Sequence, residues 1–146
     1  MDAAAVADRL ALQDLAAAYA ATADRRDVDG FTALFLPDAT LTARRGDGEP
    51  ATYQGTDRLA EIPARLGRYR QTFHVVTNHR CEITGDTATG EALCRAHHVT
   101  DGDDGATDVI LTIRYTDRYR RTEAGWRFAT RDVHILWTSE EPVALA

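Results

Sequence analysis

The chain reads as an α+β protein: three helices in its first half, then a long antiparallel sheet that curls into a cone over them. Three observations predict this. Residues 3–23 are rich in Ala, Leu, Gln and Asp, lack Gly and Pro, and repeat their apolar positions at helical spacing. From residue 70 the pattern becomes β-branched and aromatic, in runs near 71–84, 87–100, 107–121 and 126–137. The links between those runs are short and carry glycine, which makes successive strands antiparallel neighbours.

In the first helix Leu12, Leu15, Tyr19 and Ala23 form one stripe with Ala16 beside them, and Arg9 and Asp14 lie off it. The helix ends near Asp24-Arg25-Arg26. A second helix is expected over 28–36, capped by Asp27 or Asp29 and stopped by Pro37-Asp38. A short strand over 39–43 and its return over 51–54 flank a loop at 44–50. The third helix is expected over 57–67 with Thr56 as cap, short, kinked or broken at Pro63. Gly85-Asp86, Gly102–Gly105 and Thr122–Gly125 join the four long strands, and the tail from Ser139 reads as a loose end.

The last strand carries a conflict of parity. Trp126 and Phe128 share one face, whereas Arg131, Val133, Ile135 and Trp137 share the other. Either a bulge near 129–130 switches the faces, or both faces are covered. Apolar residues on both faces of the last two strands predict a homodimer or higher homo-oligomer through the outer sheet face.

At 146 residues the chain is expected to form one domain spanning 1–146, large enough for a core and an internal pocket. Its net charge of −6 argues against nucleic-acid partners, which need a basic face. All 17 basic residues are Arg, so Schiff-base chemistry on lysine is excluded. Ser139 is the one serine, and no GxSxG, P-loop or GxGxxG motif is present. Cys81 and Cys94 show no metal-ligand spacing, and the first hairpin would place Cys81 opposite Gly90, away from Cys94. Neither a metal nor a cofactor is expected. The opening Met1-Asp2-Ala3-Ala4-Ala5 has no basic or apolar leader pattern and no run is long enough to span a membrane, so a cytoplasmic location is expected.

The chemistry is expected around His74, which sits early in the strand Arg70–His79. Strict alternation puts His74, Val76 and Asn78 on one face and Phe73, Val75, Thr77 and His79 on the other. His74 is either a core histidine or a base, and a base needs a carboxylate to fix its tautomer. Asp24, at the exit of the first helix, is the natural candidate. A two-residue turn at Gly85-Asp86 pairs His74 with His97 and turns His98 away; a turn longer by one residue would bring His98 to the inner face instead. Arg131, mid-strand, is either one half of an ion pair or a clamp for a developing anion. Tyr19 either packs in the core or offers its hydroxyl to the same cavity.

With these residues placed, the chain resembles the SnoaL-like branch of the nuclear transport factor 2-like superfamily, whose fold is also described as cystatin-like. The resemblance runs from about Leu12 to Trp137. It is carried by Leu12-Gln13-Asp14-Leu15, Phe35-Leu36-Pro37-Asp38-Ala39, Thr72–Asn78, Gly85-Asp86-Thr87-Ala88, and Tyr115 to Phe128 with its Gly125-Trp126-Arg127-Phe128. It implies a cone-shaped curved antiparallel sheet whose three N-terminal helices close a deep apolar pocket. The pattern is similar to scytalone dehydratase, bile-acid 7α-dehydratase and hexachlorocyclohexane dehydrochlorinase, which use an Asp–His pair as base.

By that resemblance the catalytic residues are Asp24, His74, Arg131, Tyr19 and His97 (or His98). One departure is Ala23, where scytalone dehydratase carries a tyrosine beside its aspartate. The implied activity is a cofactor-free dehydratase-type lyase acting on a hydrophobic, ring-containing metabolite. The alternatives are a polyketide cyclase or isomerase using the same base, and a ligand-binding module without catalysis.

Overall fold

The computed structural model describes residues 1–146. Helix α1 spans Ala3–Arg25, its first turn closed by Asp2, whose Oδ1 accepts the Ala5 N–H at 2.8 Å. Its buried residues are the expected stripe, Leu12, Leu15, Ala16, Tyr19 and Ala23, with Ala20 added. Helix α2, Val28–Thr32, is capped by Asp27 as expected but ends four residues early. Phe35 and Leu36 instead open strand β1, Phe35–Arg45. The cause is tertiary: Phe35 pairs with Phe128, and the Phe128 N–H donates to Leu34 O at 2.9 Å. Strand β2, Ala51–Gln54, pairs back on β1. In helix α3, Thr56–Leu66, the cap is Gly55 at φ 81, and Thr56 is the first helical residue. Pro63 lies inside α3 without ending it.

Strands β3 (Gln71–Thr84), β4 (Thr87–Gly102), β5 (Gly105–Thr122) and β6 (Gly125–Val143) form the antiparallel meander. The sheet order is β2-β1-β6-β5-β4-β3, with β1 parallel to β6. The sheet is curved and unclosed, with the helices over one face. The expected loose tail is ordered strand as far as Val143, because Glu140–Val143 pair with Ala106–Val109.

Two of the sheet's bulges decide which side chains reach the interior. A third, at Leu136 between the Trp137 and Ile135 pairings, turns Trp137 to the outer face, out of the row with Arg131, Val133 and Ile135 that strict alternation gave it. The one expected in β6 is present: Tyr119 pairs with Phe128, Arg118 with Thr130, and Ala129 is the extra residue. Trp126, Phe128, Arg131 and Val133 therefore all reach the interior and are buried. The second bulge, not foreseen, lies in β3 between Thr77 and Arg80, where Asn78 takes φ 55. Asparagine tolerates this left-handed conformation better than most residues. The inner face of β3 thus runs Thr72, His74, Val76, and then His79, Cys81 and Ile83. His79 belongs inside, contrary to strict alternation.

The core between helices and sheet is aromatic. Tyr19 lies 5.1 Å from Phe31 and 5.6 Å from Tyr115, and Phe35 lies 5.0 Å from Phe128, measured between ring centroids. Such tilted and edge-on pairs are worth roughly 0.5–1.5 kcal/mol each beyond their buried area.

Candidate active site

Asp24 and His74 meet as expected. Helix α1 delivers Asp24 in its last turn, and β3 runs beneath that helix end. His74 Nδ1 lies 2.6 Å from Asp24 Oδ1. The His74 backbone N–H donates to Asp24 Oδ2 at 2.9 Å, and the Thr72 hydroxyl donates to Oδ1 at 2.9 Å. Both carboxylate oxygens are thus engaged, which fixes the carboxylate plane against the imidazole edge. The carboxylate partner assigns the proton to His74 Nδ1 and leaves the Nε2 lone pair bare, without a partner in the chain. Burial pushes the Asp24 carboxyl upward, but the hydrogen bonds from His74 outweigh it and hold the group below its ordinary value. The His74 side chain is 8% exposed and that of Asp24 is 21%.

The expected opposition of His74 and His97 is corrected by the β3 bulge. Pairing near the turn is as predicted, with Thr84 opposite Thr87 and Cys81 opposite Gly90. Beyond the bulge the register slips by one residue, so His74 pairs with Ala96 and Phe73 with His97. His97 therefore points to the outer face, where its Nδ1 lies 2.6 Å from Asp108 Oδ2. His98 takes the inner position, edge-on to both His74 and Tyr69. Its Nδ1 lies 3.2 Å from Ala96 O and 3.2 Å from Val109 O, which assigns the proton to Nδ1. Burial, and then the proximity of His74, lower the basicity of His98 and keep it neutral.

Arg131 and Tyr19 come together, and neither bonds to Asp24 or His74. The Arg131 side chain is 0% exposed and pairs with Asp117, its direct partner on β5, through Nε–Oδ1 and Nη2–Oδ2 bonds of 2.8 Å each. Its guanidinium carbon stands 3.9 Å from the Tyr115 ring centroid, 4.2 Å from that of Tyr19 and 4.4 Å from that of Phe128. Of the two readings the sequence left open, the structure shows Arg131 as one half of an ion pair. Arg131 Nη1 is the one buried side-chain nitrogen or oxygen without a hydrogen bond. Burial pushes the Tyr19 hydroxyl up to about 12, so it stays protonated.

Sequence reasoning missed the rest of this network. Asp117 also accepts the Tyr119 hydroxyl at 2.8 Å, and His79 Nε2 lies 3.1 Å from that hydroxyl. A short buried acid between two tyrosines, in the row of a buried arginine, was the available signal. The five main cavities hold about 200–390 Å³, and none is lined by Asp24 or His74. One of about 250 Å³ lies between α1 and the β3 bulge, over His79. No three His, Cys, Asp or Glu side chains converge in a way that would hold a metal ion. No helix is long and apolar enough to cross a membrane.

The fold and this site define a small α+β domain with a half-buried acid–histidine pair. Residues 4–132 match the SnoaL-like domain model, and the chain belongs to that family. A Novosphingobium aromaticivorans protein, provisionally named an aromatic ring hydroxylase, is 30% identical, with a TM-score of 0.80 over 93% of this chain and 94% of its own. A second protein of Novosphingobium aromaticivorans, provisionally named a scytalone dehydratase, is 20% identical with a TM-score of 0.79 over 97% and 92%. Hexachlorocyclohexane dehydrochlorinase LinA-type3 of Novosphingobium barchaimii is 23% identical with a TM-score of 0.76 over 95% and 92%. At those last two identities the likeness is one of fold. The solved neighbours thus include lyases.

Proposed function

We propose that the protein is a dehydratase-type lyase acting on a hydrophobic, ring-containing small molecule, with Asp24–His74 as its base. The observation that carries this reading is the dyad itself: a carboxylate held by three donors, an imidazole fixed in one tautomer, and a bare Nε2. His74 Nε2 takes a carbon-bound proton acidified by a neighbouring carbonyl, and Asp24 stabilises the imidazolium that forms. The carbon–oxygen bond then breaks, and the departing hydroxide leaves as water by taking the proton back from His74. His98, neutral and protonated on Nδ1, accepts a hydrogen bond from the substrate through Nε2. His97, on the outer face, takes no part. Arg131, whose Nη1 is the orphan donor of the interior, with Tyr19 beside it, is the group that stabilises the developing anion. No cofactor enters the scheme. The chain acts as a homo-oligomer joined through the outer sheet face, in the cytoplasm.

The test is turnover and product mass over a panel of hydroxylated steroids and polyketide-like ring compounds. Loss of one water in the product is expected. His74→Ala should lower the rate by about 10²–10⁴-fold with the fold intact. Near-full turnover in that variant would remove His74 as base. A product of unchanged mass would instead indicate isomerisation or cyclisation.

A further inference from the structure

We infer that Arg26 is a positioning residue for the Asp24–His74 base, acting on it through Thr72; this rests on the reading of that pair given above. Arg26 follows the last residue of α1 in the left-handed conformation, at φ 55 and ψ 33. That position at a helix end suits glycine, and an arginine there is strained. Its side chain accounts for the choice. Nη1 donates to the Thr72 hydroxyl at 3.1 Å and to Asp24 O, while Nη2 donates to Leu66 O at 3.0 Å and Tyr69 O at 3.3 Å. One guanidinium thus ties the end of α1, the end of α3, the linker before β3, and β3 itself.

The polarity of this arrangement is forced. A guanidinium only donates, so Thr72 Oγ1 is an acceptor toward Arg26. Its single proton is then left for Asp24 Oδ1, 2.9 Å away. Arg26 makes no ion pair with the Asp24 carboxylate, so the charge of Asp24 remains directed at His74. The carboxylate oxygen that holds His74 Nδ1 is the same one that Thr72 holds. Without Arg26, Thr72 is free to rotate and donate elsewhere, and Asp24 loses one of its three anchors. The imidazole then samples the Nε2–H tautomer, which cannot act as base toward the interior.

The experiment is nitrogen-detected NMR of the His74 ring, with kcat and KM measured beside it, in wild type, Arg26→Gly, Thr72→Val and the double variant. Arg26→Gly suits the left-handed backbone, so it deletes the guanidinium without straining the helix end. The expected result is a single Nδ1–H tautomer in wild type and a mixture in both single variants. kcat should fall by about 10- to 100-fold with KM nearly unchanged. The double variant should be no worse than either single one, because both act through one chain of bonds. Arg121→Met serves as control: it breaks the bidentate pair with Asp8, far from the dyad, and must leave the His74 tautomer alone.

An unchanged tautomer in Arg26→Gly overturns the inference, as does an equal shift in Arg121→Met. If Arg26→Gly does not fold, Thr72→Val decides in the same way. If no substrate is turned over at all, the tautomer shift still supports the positioning role while the proposed reaction falls.

Discussion

His98 stands edge-on to His74, with ring centroids 5.7 Å apart and ring planes at 75°. His97, one residue earlier, is on the other side of the sheet. His98→Gln should therefore lower kcat by about tenfold, the order of one hydrogen bond. His97→Gln should leave it within about twofold. Equal losses in the two variants, in the same turnover assay, would show that inner and outer faces have been misassigned.

His79 and His98 are both held below their ordinary value of 6.5, chiefly by burial. The unfolded chain therefore binds more protons than the folded one as pH falls through that value. Stability is full above 6.5 and declines below it. Urea midpoints should drop between about pH 7.5 and about pH 5.5, and the double variant His79→Gln/His98→Gln should flatten that slope. An unaltered slope would mean that other groups carry the acid sensitivity.

Arg131 and Asp117 form a fully buried pair. Asp117→Asn should destabilise the fold by about 3–5 kcal/mol, because it leaves an uncompensated buried cation. Replacing both, as Arg131→Met/Asp117→Leu, should recover much of that loss. Equilibrium unfolding in denaturant checks both statements. A double variant less stable than the single one would show that the pair is net stabilising.

Asn78→Gly should be tolerated or slightly stabilising, since φ 55 suits glycine. Asn78→Val should cost about 1–2 kcal/mol, the penalty of a left-handed conformation in a side-chain-bearing residue. Thermal unfolding distinguishes the two.

Phe73, Val75 and Trp137 leave apolar surface on the outer face, at 61%, 38% and 60% exposure. Light scattering should give a mass at least twice the 16.1 kDa of the chain. Trp137→Glu should reduce it to that of a single chain. A wild type that is already monomeric would refute self-association through this face.

The helices and the meander were legible because each is local or follows from one short turn. The Asp24–His74 pair, 50 residues apart, was legible through the need of a histidine base for a carboxylate and through the family resemblance. The α1 stripe needs only a period of 3.6, and the β6 bulge was visible as a clash of parity between Phe128 and Arg131. The β3 bulge left no such trace, because the residues on both sides of Asn78 alternate plausibly in either phase. That single residue decided between His97 and His98 and brought His79 inside. The Phe35 strand and the Glu140–Val143 extension were hidden for another reason: their partners, Phe128 and Ala106–Val109, lie far away in sequence. Asp117 was overlooked because its role depends on a neighbour across the sheet.

The Asn78 bulge uncouples the two halves of β3. Residues 71–77 keep one phase and residues 80–84 the other, so neither half constrains which face the other presents. Removing one residue there would leave the turn at Gly85-Asp86 and the Cys81 row in place. It would also rotate the chemistry-bearing half by one step, carrying His74 out to solvent and Phe73 into the interior. The reactive end of this strand is in that sense a separately adjustable part, set by one insertion and not by the sheet as a whole.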